Sequence, residues 1–490
     1  MAISTKNTGV KTQHKQYDEF YPKWKRCRDV MKGKDAVHAA GTEYLPALLE
    51  QEPAEYAAYV KRAGFYNASW RTVAGFKGML FRKPPNKVIP KGIEEHLKNV
   101  NLKGDSIEQL VEDGACEILE VGRFGLLVDY PNKPAGKGQV TVAQVEKLNL
   151  RPTIQMYFAE NIINWRYTTI NNATVLALVV LSEVKEVQEN EFEVKEKTVY
   201  RVLDLEPTSL TYRIRIFDVS DTGVQTQIGD DITPTKNGKP MTEIPFVFVS
   251  GDGTTGKVYD PPLIDLVDKN LDHYVVSADY EHGCHFTALP TAWVAGFNNK
   301  GDGTGQKLYV GSQTAWVFES PEAKAGYLEF TGTGLKALKE NLDGKKQEMA
   351  TLGARMLADA SERQVETFGA TAIKHLGENS ILAAISINLS KGIEKALTWF
   401  ADWAGQTGEI KYEVNRKFMP VQMDAPTLTS LMGAWQGGAI SQQDFFILLQ
   451  EGEIVAAEKT FEEHQAEIDN QQPIMAEPTE EPKPKEDIEE

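Results

Sequence analysis

The sequence predicts an α+β fold in which helical regions lie on both sides of a central β-rich region. Residues 151–250 contain several runs of alternating apolar and polar residues, the period of half-buried strands, separated by turn residues. The regions before and after them place apolar residues three and four positions apart, the spacing of one helix face. The 490 residues are enough for roughly two to four structural units.

The beginning of the chain is predicted to be helical after a polar start. We expect a polar N-terminal arm over residues 1–30. The helical pattern of residues 41–85 ends at Pro84 and Pro85, because proline cannot continue a helix. A second helical stretch, 106–123, leads into FGLLVDYP, which has the pattern of a short buried strand.

The second half of the chain alternates helices with short strands. Asp260 is predicted to cap a helix whose first residue is Pro261. Short strands follow in LPTAWVAGF, KLYVG and TAWVF, and then a second helix, GLKALKENLDGKKQEMATLGARML. The polar break ADASERQVETFG precedes a longer helix from about Ala370 to Ala404. Short helices end the folded part, and the Pro/Glu-rich C-terminus predicts a disordered tail.

Composition excludes several classes of protein. The net charge of −17 argues against a nucleic-acid binder that works by neutralising phosphates, although an acidic surface suits a protein that touches DNA without gripping it. The three cysteines, Cys27, Cys116 and Cys284, form no CxxC pair, so we expect no zinc ribbon or disulfide framework and a reducing compartment. We find no signal peptide and no apolar run of ~20 residues, and expect a soluble intracellular protein without membrane contact.

The stretch DHYVVSADYEHGCHF resembles a metal or catalytic cluster at first sight. On a helix, however, His282 and His285 point to one side while His273 and Cys284 point to the other. Four ligands on opposite sides of one helix cannot close around a single ion. We therefore favour packing histidines over a metal site and expect no bound metal.

The same helix carries a stripe of carboxylates opposite an apolar stripe. Counted from Leu263, the acidic residues lie between about 140° and 200° around the axis. Two interpretations remain: a solvated helix face, or a wet anionic surface that like charge keeps from sticking to a polyanion. The acidic stripe is Asp265, Asp268, Asp272 and Asp279, and the apolar stripe is Leu263, Val267, Leu271, Tyr274 and Ala278.

The segment GDGTTGKV has the spacing of a phosphate-binding loop from Gly251 to Lys257. The next residue is Val258, where Mg²⁺ binding requires Ser or Thr, and YDPP interrupts any helix directly behind the loop. A nucleotide-binding enzyme that uses this loop is therefore the alternative, not the leading hypothesis. We recognise no other catalytic signature and expect a protein that is not an enzyme and needs no cofactor.

Taken in order, several segments resemble the portal proteins of tailed bacteriophages. The resemblance is to the branch whose shared domain was long catalogued as of unknown function, and it extends from about residue 40 to 460. No single motif is diagnostic, but the order and spacing are specific. The resembling stretches include VGRFGLLVDYP, AENIINWR, YDPPLIDLVDKNLDHYVVSADYEHGCHFTALPTAWVAG, SERQVETFGATAIKHLGENSILAAISINLSKGIEKAL and GAISQQDFFILLQEGEIV.

The resemblance implies a homo-oligomeric ring, usually of twelve subunits, at one vertex of a viral capsid. Such a ring nucleates head assembly, passes double-stranded DNA in both directions without sequence specificity, and docks the terminase motor and the head–tail adaptor. Major capsid and scaffolding proteins are further implied partners. The implied location is the portal vertex of the virion, with the host cytoplasm during assembly. Another structural virion component, such as an adaptor or scaffold, remains an alternative.

Carried over segment by segment, the resemblance implies a portal fold with a β-rich wing, a two-helix stem, a short clip, a long wing helix and a small helical crown. The clip departs from larger family members because it is short and has no clear helix. The implied units are the wing (31–258), first stem helix (259–289), clip (290–331), second stem helix (332–357), tunnel loop (358–369), long wing helix with strands (370–425), crown (426–460) and acidic disordered tail (461–490).

The resemblance also implies which residues contact DNA and partners. The stem candidates for the channel lumen are Asp265, Asp268, Asp272, Asp279, Lys336, Lys339, Lys345 and Lys346. The tunnel loop, which narrows the channel, contributes Asp359, Ser361, Glu362, Arg363 and Gln364. The clip candidates for partner binding are Trp293, Phe297, Lys300 and Asp302.

Overall fold

The structure is a computed structural model of the chain. It describes residues 9–131, 148–220, 222–236, 238–288, 291–295, 322–328, 333–354, 368–416, 418, 423, 425–456 and 459–470. Internal contacts divide the chain into two compact units, Met1–Arg416 and Lys417–Glu490. Both helices and sheets are present, so the predicted mixture of α and β structure is confirmed. Within the described ranges, no helix combines the length and apolar character needed to cross a bilayer.

Part of the expected polar arm is helical, because the first helix begins at Lys15. Helix α1 buries Trp24, Cys27 and Val30 completely, because its apolar residues recur on one face despite the polar average of the segment. The expectation for residues 1–30 therefore differs from the structure. The helices of this region are α1 (Lys15–Lys32), α2 (Lys34–Ala40), α3 (Pro53–Arg62), α4 (Ala68–Leu80), α5 (Lys91–Leu97) and α6 (Ile107–Val121).

Helix α6 leads directly into the most buried sheet. Ser106 caps its start by accepting a hydrogen bond from Gln109 N, and Gly122 ends it with φ of 90°, a conformation that favours glycine. The sheet has the order β11-β2-β3 and is antiparallel. Its strands are β2 (Arg123–Asp129), β3 (Thr153–Phe158) and β11 (Phe246–Ser250).

The predicted β-rich region forms a five-stranded antiparallel sheet with consecutive strands as neighbours. Small ladders join β9 to β10 and β1 to β14. The five strands are β4 (Ile162–Ile170), β5 (Ala173–Gln188), β6 (Val194–Leu205), β7 (Tyr212–Val219) and β8 (Gln225–Gln227). The others are β1 (Asn86–Val88), β9 (Thr235–Lys236), β10 (Lys239–Pro240) and β14 (Lys411–Glu413).

Three helices follow the two large sheets. A short π-helical segment, Ala350–Ala354, follows α8 and contains Gly353 with φ of 131°, which breaks the regular helix. The predicted start of the first of these helices is wrong: Asp260 pairs with Lys23 and does not cap it. The elements are α7 (Ile264–Ala288), β12 (Thr291–Ala295), β13 (Lys324–Leu328), α8 (Thr333–Met349) and α9 (Phe368–Trp403).

The second unit is helical in its described part. Trp435 and Phe445 stack with ring centroids 5.2 Å apart, and Phe446 meets Phe461 edge-on at 5.6 Å. The expectation that the disordered tail begins at residue 461 therefore differs from the structure, since a helix with a packed aromatic residue begins there. The helices are α10 (Ala425–Gln436), α11 (Gln442–Glu451) and α12 (Phe461–Asn470).

Candidate functional site

The predicted stem residues lie on two helices, α7 and α8, that pack side by side in antiparallel directions. Lys269, near the start of α7, pairs with Glu348, near the end of α8, at 2.9 Å. At the other end of the pair, Gly283 lies so close to Leu335 that a Cβ at position 283 would be 2.6 Å from Leu335 Cδ2. Gly283 therefore permits the close approach of the two helices.

Ion pairs connect the two helices on their solvent side. Lys269 lies 3.4 Å from Asp272 on its own helix as well as reaching Glu348. Lys345 reaches across from α8 to Asp272 at 3.5 Å. The hydrogen bond to Glu348 raises the pKa of Lys269. Exposed pairs of this kind contribute little stability each, so the network chiefly fixes the register of the helices.

His273 lies in the seam between the helices and is only 4% exposed. Neither ring nitrogen has a hydrogen-bond partner among the described residues. Burial, with Lys346 and Lys345 adding to it, lowers the pKa of His273 to about 4. The ring is therefore neutral at pH 7 and acts as a packing residue, as the helical positions of the histidines predict.

Asn270 attaches α7 to the N-terminal helices. Its fully buried side-chain oxygen accepts hydrogen bonds from two backbone donors at the start of α4, Ala68 N at 3.1 Å and Ser69 N at 3.2 Å. Ala68 N also donates to the Tyr66 carbonyl at 2.9 Å. Its amide nitrogen donates to the carbonyl of Tyr66 at 2.8 Å. One side chain of α7 thus satisfies the backbone at the beginning of another helix.

The four carboxylates of the predicted acidic stripe occupy different environments. Asp265 and Asp272 are exposed. Asp268 pairs with Arg26 of α1 at 3.1 Å, and burial raises the pKa of this carboxyl. Asp279 accepts a 2.6 Å hydrogen bond from the hydroxyl of Tyr59 on α3. Two members of the stripe are therefore engaged by the N-terminal helices.

The four predicted lysines all lie on α8. Lys336 and Lys339 are exposed, and Lys336 lies 3.9 Å from a carboxylate one turn further along its helix. Lys346 lies 3.8 Å from a carboxylate on the same helix, whereas Lys345 is 17% exposed and reaches α7. Mixed charge thus lines the exposed side of the helix pair.

A two-stranded ladder lies between α7 and α8 in the chain. Strand β12 follows α7, strand β13 precedes α8, and the two pair in antiparallel register with Trp293 opposite Gly326. Trp293 is 42% exposed. The remaining clip candidates, Phe297, Lys300 and Asp302, lie outside the described residues. So do all the tunnel-loop candidates: Asp359, Ser361, Glu362, Arg363 and Gln364.

The other histidines of α7 contact side chains, not each other. The ring of His282 lies 3.1 Å from the Arg62 guanidinium and meets Phe286 edge-on at 4.7 Å. His285 meets the same phenylalanine at 5.5 Å. Across the described ranges, no group of three histidine, cysteine or carboxylate side chains is arranged to hold a metal ion.

The glycine-rich loop after β11 does not have the geometry of a phosphate-binding loop. The backbone N–H of Gly253 donates to Ser250 Oγ at 3.2 Å, and that of Gly256 donates to the Tyr167 hydroxyl at 2.8 Å. The Lys257 ammonium lies over the Tyr259 ring. The next helix begins only at Ile264, so no helix N-terminus faces the loop.

Sequence reasoning missed a partly buried charge cluster around Arg28. Its guanidinium reaches Glu117 at 2.5 Å and both Glu120 and Glu160 at 2.8 Å. Burial raises the pKa of Glu117 to about 7, in spite of the arginine. The partners come from α6 and from the turn before β4, so their distance along the chain hid the cluster.

Comparisons with known proteins match one domain family and several particle structures. The family model described as "Domain of unknown function (DUF4055)" matches residues 262–404. No curated protein matches. A chain of the "Virion of native gene transfer agent (GTA) particle" is 11% identical, with a TM-score of 0.39 over 84% of this chain and 98% of that chain.

Two further solved structures are similar at the same level. A chain of the "Neck of empty GTA particle computed with C6 symmetry" is 12% identical, with a TM-score of 0.39 over 85% of this chain and 98% of that chain. A chain of the "Neck of native GTA particle computed with C12 symmetry" is 12% identical, with a TM-score of 0.35 over 82% and 94%. In each case the similarity extends over most of both chains.

Proposed function

We propose that this chain is a portal subunit, which assembles into the ring through which double-stranded DNA enters and leaves a phage capsid. One observation carries the proposal: the antiparallel pair α7–α8, which is joined through the β12–β13 ladder. The pair packs against the N-terminal helices on one side and leaves a charged side exposed. The resemblance of the ordered sequence segments to portal proteins supports the same assignment.

The dimensions of the helix pair suit the wall of a channel. Helix α7 has 25 residues, which corresponds to about 37 Å at 1.5 Å per residue. Pairs of this length, repeated around a ring axis, would form a tube with their exposed sides towards the lumen. The ladder at the end of each pair would project from the tube as the clip, where Trp293 is exposed for the motor and the adaptor.

The exposed charges suit a channel for sliding DNA. A strongly basic wall would bind phosphates at fixed positions, whereas a wall of mixed and acidic character avoids deep binding minima. Within the helix pair, Asp265, Asp272, Lys336, Lys339 and Lys346 are exposed and remain proposed lumen residues. We assign Asp268 and Asp279 to the interface with the N-terminal helices, because both have partners there.

The proposal involves no catalysis by this chain. The energy for packaging would come from a separate ATPase docked at the clip. The tunnel-loop candidates that would contact DNA are Asp359, Ser361, Glu362, Arg363 and Gln364. The N–H groups of Gly253 and Gly256 already donate within the protein, so these two donors of the glycine-rich loop are not available to a phosphate. No observation favours the nucleotide-binding alternative.

Electron microscopy of the purified full chain tests the proposal. We expect ring-shaped particles with a central hole and high rotational symmetry, with twelve subunits as the usual number. A chain that stays monomeric at every concentration and salt tested would overturn the proposal. As a second measurement, ATP binding is expected to be undetectable and unchanged by Lys257→Ala, and a nucleotide affinity that this substitution abolishes would favour the alternative.

A further inference from the structure

A two-stranded ribbon projects from the five-stranded sheet. On β5, the last residue that pairs with β4 is Leu181. On β6, the first residue that pairs with β7 is Val199. Beyond these points β5 and β6 pair with each other alone, and every residue from Val184 to Thr198 is exposed. An isolated two-stranded ribbon is marginally stable in water, and its open edges invite association.

The tip of the ribbon presents an exposed aromatic residue on an ordered turn. The Asn190 side chain accepts hydrogen bonds from Phe192 N at 2.9 Å and Glu193 N at 3.0 Å, which holds the turn in one conformation. Phe192 is nevertheless 87% exposed. Three glutamates surround it, at positions 189, 191 and 193. Glu189 pairs with Lys195 at 3.4 Å, whereas Glu191 and Glu193 make no ion pair with a described residue. The tip thus combines an apolar side chain with two unpaired negative charges.

A groove of the opposite character lies on the same sheet. We call it the arginine groove, and its cavity volume is about 620 Å³. Its charged lining includes Arg166, Arg213 and Arg215, and its apolar lining includes Trp165, Leu205 and Pro207.

The arginine groove carries an excess of positive charge. Arg213 and Arg215 share Asp204, at 2.7 and 3.2 Å, and Arg213 also pairs with Asp231 at 3.1 Å. Arg166 is exposed and makes no ion pair with any described residue. Three cations therefore face two carboxylates, in a chain whose net charge is −17.

The ribbon cannot reach the arginine groove of its own chain. Leu178 of β5 lines the groove, and the tip begins 11 residues later at Glu189, which is about 37 Å along an extended strand. The register of β5 with β6 continues without interruption from Leu178 to Gln188, so the ribbon does not fold back. The groove that a tip can enter belongs to another molecule.

We propose that the ribbon tip of one copy docks in the arginine groove of the next copy, with Phe192 among the apolar side chains and Glu191 near Arg166. The contact joins two different surfaces of the same chain, so repetition leads from one copy to the next around a ring. This inference therefore rests on the proposed function, to which it adds a specific contact between neighbouring subunits. Its chemistry is an aromatic anchor surrounded by complementary charge.

Assembly of surface variants tests this contact, with mass photometry of the full chain over a range of concentrations. Phe192→Ser is expected to raise the concentration for half-assembly by roughly tenfold, because a buried aromatic anchor is lost. Leu49→Ser is the control, since Leu49 is 94% exposed and lies in neither surface. Glu191→Arg and Arg166→Glu are each expected to weaken assembly, and the chain with both substitutions is expected to recover it.

A cross-link reports the contact directly. Phe192→Cys combined with Pro207→Cys is expected to give disulfide-linked oligomers on a non-reducing gel, which neither single substitution gives. The wild-type chain could form rings while the Phe192 and charge variants assemble like wild type and the cysteine pair stays unlinked. That result would refute the ribbon contact and leave the proposed function standing. If the wild-type chain forms no rings, the proposed function fails as well. Binding of labelled duplex DNA that Arg166→Glu abolishes would identify a nucleic acid as the occupant and overturn the inference.

Discussion

The Lys345 ammonium lies 3.5 Å from the Asp272 carboxylate and joins α8 to α7 across the seam that buries His273. Lys345 is only 17% exposed in its side chain, whereas Asp272 is 55% exposed. The pair therefore lies at the boundary between the packed seam and solvent. Any substitution of Asp272 tests the contact of the two helices as well as the charge of the proposed lumen.

Reversal of the charge at position 272 is expected to loosen the helix pair. Asp272→Lys places a third ammonium beside Lys269 and Lys345, and we expect a loss of about 1 kcal/mol at low salt that shrinks at high salt. Urea denaturation at the two salt concentrations measures the difference. Asp265→Lys is the matched control, because no ion pair connects Asp265 to α8 in the described part of the chain. Equal losses for both variants would contradict the role assigned to Asp272.

The Asn270 side chain is expected to be more important for stability than an ordinary helix cap. Asn270→Leu leaves the buried N–H and hydroxyl groups of Ser69 without their acceptor and removes one of the two acceptors of Ala68 N, which is expected to cost about 2–3 kcal/mol of unfolding free energy. Asn67→Ala is the comparison: it removes a cap of the same helix at a partly exposed site, where about 1 kcal/mol is expected. Chemical denaturation of both variants decides the order, and a smaller loss for Asn270→Leu would be evidence against this account.

The stability of the helix pair is expected to fall in acid because of His273. Its folded pKa of about 4 lies below the ordinary value of 6.5, so between these pH values the unfolded chain binds a proton that the folded chain excludes. The stabilisation is complete above pH 6.5 and is lost towards pH 4, by up to about 3 kcal/mol. The free energy of unfolding of His273→Met should therefore depend less on pH across this interval. Parallel pH profiles for variant and wild type would contradict the prediction.

Two glycines of the same loop are expected to respond differently to alanine. A Cβ at Gly256 would lie 2.8 Å from the Tyr167 ring and 2.9 Å from the Trp165 ring, so Gly256→Ala is expected to cost about 1–3 kcal/mol. At Gly253 no atom lies within 4 Å of the added carbon, and a change within about 0.5 kcal/mol is expected. Thermal unfolding of the two variants gives the comparison. A neutral Gly256→Ala would show that the loop is not packed on these rings.

The sequence predicted elements well where the pattern is local. The alternation in TVLALVVLSEV and VYRVLDL identifies β5 and β6, and the apolar stripe of α7 includes Val267, Tyr274 and Ala278, all buried. Helix α1 was missed because its average composition is polar. The spacing of Tyr17, Trp24 and their apolar neighbours would have found it.

Tertiary partners were beyond the reach of sequence patterns. Helical geometry alone placed all four aspartates of the acidic stripe on one face. Asp268, however, pairs with Arg26 of a distant helix. No sequence pattern marked Asn270 either. The backbone groups that its side chain satisfies lie 202 and 201 positions earlier in the chain. Local periodicity determines which face a residue occupies, and only the packing of other elements determines what that face meets.

The Arg28 cluster has a consequence for folding during synthesis. Helix α1 is translated before these partners, since the carboxylates that Arg28 contacts come 89, 92 and 132 positions later in the chain. The Arg28 guanidinium therefore lacks these three carboxylates until α6 and the turn before β4 have been translated. Contacts of such long range are slow to form. The cluster therefore cannot be complete until about 130 residues after Arg28 have been translated.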